Sequence, residues 1–578
     1  MFSFIGKAHR RMTSSKLTRR TFVAGTAAAP VVGAGIGFFA GPGARAQEAT
    51  PDTTTLPVGP APETIEFAND WPVPYQNNYG HRAAPTSTID STNVTTLGPV
   101  WRLPISAAAG WGAITGTPIV LGDVIYFQDM MNNFHAVNRT TGETIWMTEY
   151  NIPSGGPNGL CVGYGMVFGG LGESGDMVAL DIETGTEVWR KVLTNHPYEG
   201  IRMAPAVYDG WVYISIVPDS TNNEPGTRGL LHVLDAITGL TVWYMDLAED
   251  NLWGNARINM GAGLWYPPTF DDEGNSYFGN GNAAPWPGNA EFPSASSRMN
   301  DNLYASTMMS VDPKVGAVRW HFLPKPFDLF DLDYQHAPVL VTETVFGVET
   351  KLAIGSGKTG DVVAIGADTG LVIWWTKVGK HQNDQLQQLG EEFVQVFPGS
   401  LGGVETPPAY KDGVLYVPVT NNPTYANATG TDNTQGGLDK ATGEIVALDA
   451  ATGAIKWTAF VPTMPVGSVV VANDVVITAG IDGLVRAFKL EDGSEVWNFQ
   501  MAAGVNAPVI VVGDDLIVGA GTFLVAKPEQ FEAGVIPTPV SELVLFKLGI
   551  GGGVAVSGAP ASTGNGEVVV TPEATPAA

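Results

Sequence analysis

Val178-Ala179-Leu180-Asp181-Ile182-Glu183-Thr184-Gly185-Thr186-Glu187-Val188-Trp189 is the stretch that decides the fold. Three apolar residues lead into an Asp, a Thr-Gly pair follows, and a Trp stands four residues after the Gly. An Asp side chain accepts from the amides of a tight turn, and a Gly supplies the positive φ that such a turn demands. The Trp closing the return strand brings a ring large enough to fill the gap between neighbouring sheets. The stretch therefore predicts a β-hairpin, and the chain repeats it, with further copies ending at Trp146, Trp243, Trp320, Trp374, Trp457 and Trp497. Before most copies lies another strand pair, such as Asp123–Phe127 or Gly413–Val417. About four strands per repeat describe a propeller blade rather than a helical solenoid. At the ends, Leu97-Gly98-Pro99-Val100-Trp101 matches only the last strand of a unit, while Asp515–Val518 and Glu542–Phe546 supply strands without a closing Trp. Pairing the two ends would complete a blade and leave no open sheet edge. The expected fold is an all-β, eight-bladed β-propeller over residues 86–550, with an N-terminal extension at 47–85 and a flexible Gly/Ala/Ser/Thr/Pro-rich tail at 551–578.

Composition narrows the function. With 44% hydrophobic residues the chain can build a large core, and 71 glycines with 41 prolines fit many turns. A formal charge of −27 repels phosphate backbones, which excludes nucleic acid as a partner. One cysteine, Cys161, rules out an internal disulfide, a multi-cysteine zinc site and the paired cysteines of a c-type haem attachment; it reads as a small buried hydrophobe. Residues 1–46 carry seven Lys/Arg and no acid. Within them Arg19-Arg20, a weakly apolar Ala/Gly/Val run and Ala44-Arg45-Ala46 look like a twin-arginine export signal with its cleavage site. The mature chain is expected in the periplasm or outside the cell, with no later stretch apolar enough to span a bilayer.

Repeat spacing is uneven, and the extra length falls in loops, where function concentrates. The long steps hold Gly281-Asn282-Ala283-Ala284-Pro285-Trp286 and Phe327-Asp328-Leu329-Phe330-Asp331-Leu332-Asp333, and a neighbouring repeat carries Glu224-Pro225-Gly226-Thr227-Arg228-Gly229. Carboxylate and amide oxygens without a His/Cys cluster suit a hard cation, although such loops also serve as ordinary turns. Ser356-Gly357-Lys358-Thr359 imitates the end of a phosphate loop but lacks its first Gly. The Asn/Thr/Gly-rich stretch 420–440 reads as a solvated insertion, or as a cover for a pocket.

Taken in order, these segments resemble the pyrroloquinoline quinone (PQQ)-dependent alcohol dehydrogenases over roughly residues 66–550. The entry segment Asp70-Trp71 and Thr88–Leu97 is similar to the family's N-terminal signature. The resemblance implies that Glu224 and Asn282 are metal ligands, that Asp331 is a further ligand and the catalytic base, and that Asp333 is the extra carboxylate of lanthanide-using members. It makes Trp265, in Gly261-Ala262-Gly263-Leu264-Trp265, the ring on which the quinone rests, and puts Lys358 near the quinone oxygens. Arg202 and Glu224 fall among the implied cofactor contacts. PQQ with Ca²⁺ or a lanthanide ion is the implied cofactor pair, a small alcohol the substrate, and an external acceptor such as a cytochrome c the electron sink. Departures from the family pattern are plain. Asn158-Gly159 stands in the place of an adjacent-cysteine disulfide, Thr115 in the place of a Glu, and Arg202 where Thr is common. Gly402-Gly403-Val404-Glu405-Thr406 replaces a Gly-Gly-x-Asn-Trp segment, which implies a lost cofactor contact. A competing expectation is a propeller without catalysis, serving as a binding or assembly scaffold.

Overall fold

The computed structural model describes residues 59–218, 225–249, 251–432, 435, 437–522, 540–563 and 568–569; the export-signal segment 1–46 and Glu224 lie outside them. Among the described residues the regular structure is almost all β, with one short α-helix, Pro62–Glu66. No helix there is long and apolar enough to cross a membrane.

Strands gather into successive antiparallel meanders of four. Ile119–Leu121, Val124–Gln128, Phe134–Asn138 and Thr144–Thr148 form the first, and Leu160–Gly163, Met166–Gly170, Asp176–Asp181 and Glu187–Val192 the second. Eight such units occur among the described residues. The last joins the two ends of the chain: Gly98–Pro104 pairs antiparallel with Glu542–Lys547, beside Asp515–Ala520 and Ile510–Val512. The expected end-to-end pairing is thus present. Neighbouring units share cores, as where Ile119, Tyr126 and Phe134 pack with Leu160, Val167 and Leu180.

Seven of the repeat Trp residues do more than fill space. The indole N–H groups of Trp101, Trp146, Trp189, Trp243, Trp320, Trp374 and Trp457 donate to the main-chain oxygens of Arg139, Ile182, Ala236, Pro313, Ala367, Ala450 and Leu490, each in the turn of the following unit. The repeat Gly is needed twice over. Gly185 has φ +69°, and a Cβ there would lie 2.6 Å from the Trp146 ring. Gly142, Gly239, Gly370, Gly453 and Gly493 meet the preceding Trp in the same way. Asp181, Asp235 and Asp449 accept from the amides of Thr184, Thr238 and Thr452, the turn bonds read from the sequence.

The N-terminal extension crosses this assembly as a strap. Gly59 accepts from the Asp209 amide, and the Glu63 carboxylate accepts from Tyr164 and Gly165. Trp71 then pairs with Val120, and Asn78, Tyr79, His81 and Arg82 accept from Phe270, Leu340, Tyr410 and Val471. Thr88 reaches Asp514. In this way one segment touches the first strand or first hairpin of every unit. Arg82, fully buried over the Trp71 ring, donates to the carbonyls of Val469, Pro74 and Val509. After residue 550 the chain adds edge strands: Val554–Ala555 pairs with Trp497–Asn498, and Val568–Val569 pairs with Trp375–Thr376.

Candidate functional site

In a four-strand meander the links from second to third strand, and from one unit's last strand to the next unit's first, emerge at the same end. Those links together enclose a cavity of about 660 Å³, within the size range of small-molecule sites. Its lining includes Trp111, Trp265, Tyr266, Asp331, Asp333, Lys358 and Glu405. Thr429, Gly430, Thr431 and Leu438 line it too, so the Asn/Thr/Gly-rich insertion belongs to the wall. Cys161 is buried away from it, as expected.

Asp331 and Asp333 point at one cation. The Lys358 ammonium lies 3.2 Å from Asp331 Oδ2 and 2.7 Å from Asp333 Oδ2, and all three side chains are buried or nearly so. Asn282 turns its main-chain N–H onto Asp333 Oδ1. Asp331 Oδ1 has no hydrogen-bond partner, although it is buried. Burial pushes both carboxyls up from the ordinary range, against the pull of the Lys358 charge. For Lys358, burial acts downward, but the two carboxylates outweigh it and hold the ammonium well above its usual value.

Glu405 is the group that reading the sequence missed. Its segment was visible only as a lost Asn-Trp pair, yet the substitution places a third carboxyl on the cavity wall. Its backbone is tied down on both sides. Tyr266 donates its hydroxyl to the Glu405 carbonyl at 2.9 Å, and Gln335 donates to Val404 O at 3.1 Å. Oε1 is buried without a partner, and burial raises the carboxyl to about 8.

Trp265 stands between two glycines. A Cβ on Gly156 would come within 2.8 Å of its ring, and one on Gly281 within 2.7 Å of its Nε1, so both positions exclude a larger residue. Arg202 is buried behind Gly155 and Gly156, paired with Glu173 at 3.1 Å, and is not among the cavity-lining residues. Asn158 bonds Asp129 O and Asn132 Oδ1 away from the cavity, with Thr115 beside it. His336 sits one layer back, edge-on to Tyr266 and 3.1 Å from Ser356 Oγ; burial lowers it to about 3. Thus the structure gathers Asp331, Asp333, Lys358 and Trp265 around one space, brings Asn282 to their edge and leaves Arg202 outside.

The donor set suits a cation. Two carboxyls pair with one ammonium, a third lies on the same cavity wall, and two carboxyl oxygens lack any donor. Buried oxygen acceptors in excess are what a hard cation requires. Trp265, packed against Gly156 and Gly281, gives this cavity a flat aromatic wall.

An all-β chain of Trp-linked meanders, with such a pocket at the loop end, is the architecture of a β-propeller with a small-molecule site. The family model for the glucose/ethanol/alcohol dehydrogenase β-propeller domain matches residues 71–166 and 192–398, just over half of the chain. The chain belongs to that family. A second model, for the outer membrane protein assembly factor BamB, matches residues 390–530. Among curated proteins, a quinohemoprotein alcohol dehydrogenase from Comamonas testosteroni is 25% identical over 511 residues, covering 76% of this chain and 70% of that one. The quinoprotein alcohol dehydrogenase PedH from Pseudomonas putida is 25% identical over 496 residues, covering 74% and 81%. The C. testosteroni enzyme's crystal structure superposes with a TM-score of 0.71 at 21% identity, covering 85% of this chain and 82% of that one. A europium-containing methanol dehydrogenase gives 0.69 at 20% identity, covering 84% and 100%. These structural likenesses speak for the fold.

Proposed function

We propose that this protein is an exported quinoprotein dehydrogenase that oxidises an alcohol, with PQQ and one Ca²⁺ or lanthanide ion in the loop-end cavity. Its eight meanders would close as eight blades, the strap filling their inner edges. The observation that carries the proposal is the set of buried, under-donated carboxyls beside Trp265.

Asp331, Asn282 and Asp333 would hold the ion, with Glu224 completing the set. Bound there, PQQ would supply a hydride acceptor and the ion Lewis acidity toward it. The rest belongs to the chain. Asp331 would take the proton of the alcohol hydroxyl, as a general base within reach of the substrate. Lys358 balances the negative charge that its two neighbours bring into a low-dielectric space. Trp265 offers a flat face for stacking, and Trp111 and Tyr266 line the same cavity. Without a haem of its own attachment type, the chain would pass electrons to a separate acceptor, and its acidic surface favours a basic cytochrome. A twin-arginine signal at 1–46 would bring it to the periplasm or beyond.

The experiment loads purified apo-protein with PQQ and either Ca²⁺ or La³⁺, then follows thermal stability and dye reduction with a panel of alcohols. Stabilisation by the pair and alcohol-dependent reduction are expected. Neither effect with either ion would leave the scaffold reading in its place.

A further inference from the structure

Asp331 has an unusual backbone. Its φ is +62°, in the left-handed region that a residue with a Cβ rarely occupies without help. Gly would enter that region freely but could not carry a carboxyl. Asp enters that region more readily than most residues with a Cβ; Lys358 holds its carboxyl, and a second side chain braces its backbone. Asp328 Oδ1 accepts from the Phe330 amide at 3.0 Å, and its Oδ2 accepts from the Leu332 amide at 2.8 Å. One carboxylate thus holds the N–H groups of the residues on either side of Asp331. Anchoring both restrains the short segment Phe330–Asp331, and with it the direction of the Asp331 Cβ.

Asp328 is itself clamped. The Lys325 ammonium lies 3.3 Å from its Oδ1, donates to the Asp384 carbonyl at 2.5 Å and stands 4.6 Å from the centre of the Phe330 ring. Beneath it Arg298, fully buried, donates to the Asp328 carbonyl at 2.7 Å, to Asn302 Oδ1 and to Pro285 O, with Phe327 against its guanidinium. Asp328 and Lys325 are both nine-tenths or more buried and are absent from the cavity lining. They line no part of that cavity, so they act on the reaction through the residues they hold, Asp331 foremost.

We infer that Asp328 is a positioning residue: its carboxylate, held by Lys325, keeps Asp331 in the left-handed conformation that presents its carboxyl to the cavity. This rests on the proposal that Asp331 is the base. Asp328→Asn keeps the shape and one acceptor oxygen, but turns an NH₂ toward one of the two amides and removes the charge that pairs with Lys325. Two readouts separate positioning from general support. In cofactor-free protein, hydrogen exchange at the Phe330 and Leu332 amides should quicken about tenfold or more in Asp328→Asn, while the rest of the chain keeps its protection. In loaded enzyme, kcat should fall roughly 10- to 100-fold with KM nearly unchanged, the size expected when a reacting group is misplaced by an ångström or less. The primary isotope effect on kcat with an alcohol deuterated at its carbinol carbon should rise as C–H cleavage becomes limiting. Should Asp328→Asn not accumulate folded, Lys325→Met carries the same test, because losing the ammonium frees the clamping carboxylate.

Unchanged exchange at those two amides, or unchanged kcat and isotope effect in an otherwise active enzyme, would overturn the inference. If wild-type protein loaded with PQQ and metal oxidises no alcohol, the failure belongs to the functional proposal. The exchange result then still decides whether Asp328 holds the backbone.

Discussion

The hairpin end and the loop end of these meanders are built on opposite terms. At the hairpin end, donors and acceptors match at all but the closing seam: the repeat Asp meets its turn amides, and seven indole N–H groups each find a carbonyl in the next unit. At the loop end, Asp331 Oδ1 and Glu405 Oε1 are buried with no donor at all. An unpaired buried acceptor costs about 1–3 kcal/mol, more if charged. The difference teaches where the chain has spent stability on something other than folding: local repeats hold the ring of sheets, and the loops tolerate frustration that a bound cation would relieve.

The largest expected break of that comparison is chemical. Asp331→Asn should lower kcat by about 10²- to 10⁴-fold, the usual worth of a general base, while melting of the apo-protein shifts little or upward. Steady-state kinetics beside a thermal melt checks both halves. At the matched end, Trp374→Ala should cost about 3–5 kcal/mol, since it empties a fully buried site and strips Ala450 O of its donor; chemical denaturation measures it.

A finer test compares two junctions. Trp497, at the closing seam, is the repeat Trp whose Nε1 is buried without an acceptor, whereas Trp374 has one. Trp→Phe should therefore be worse at 374 than at 497, by about 1 kcal/mol, the net worth of one hydrogen bond. Equal losses would show that the indole bonds contribute nothing.

The smallest effect concerns pH. Glu405 ionises near 8 in the folded chain, against an ordinary 4.5. The folded state therefore holds this proton after the unfolded state has released it, so the group favours folding at low pH and loses that contribution as pH rises from about 4.5 to about 8. In apo-protein, the melting temperature of wild type should decline across that window more steeply than that of Glu405→Gln. Parallel curves would mean that Glu405 is solvated.

Much of the architecture was legible because its determinants are local. Asp181, Gly185 and Trp189 lie within nine residues of one another and state a hairpin by themselves. The strap was not, because Trp71, Tyr79 and Arg82 have no periodicity; their meaning comes from the different units they touch. The same holds at the site. Asp331, Asp333, Trp265 and Lys358 could be singled out by resemblance, but Arg202 could not be kept out of the pocket without seeing Gly155 and Gly156 in front of it. Glu405 read as a missing Asn, since only the assembled loops put its carboxyl on the cavity wall. Asp328 looked like one more turn acid until its two amide bonds were seen to bracket Asp331.

Metal stoichiometry probes the heart of the account. Apo-protein saturated with PQQ should take up one Ca²⁺ or La³⁺ per chain in a calorimetric titration. Asp331→Ala should abolish that uptake, and Asp333→Ala should weaken La³⁺ more than Ca²⁺. Full uptake by the Asp331→Ala chain, or none by wild type, would contradict it.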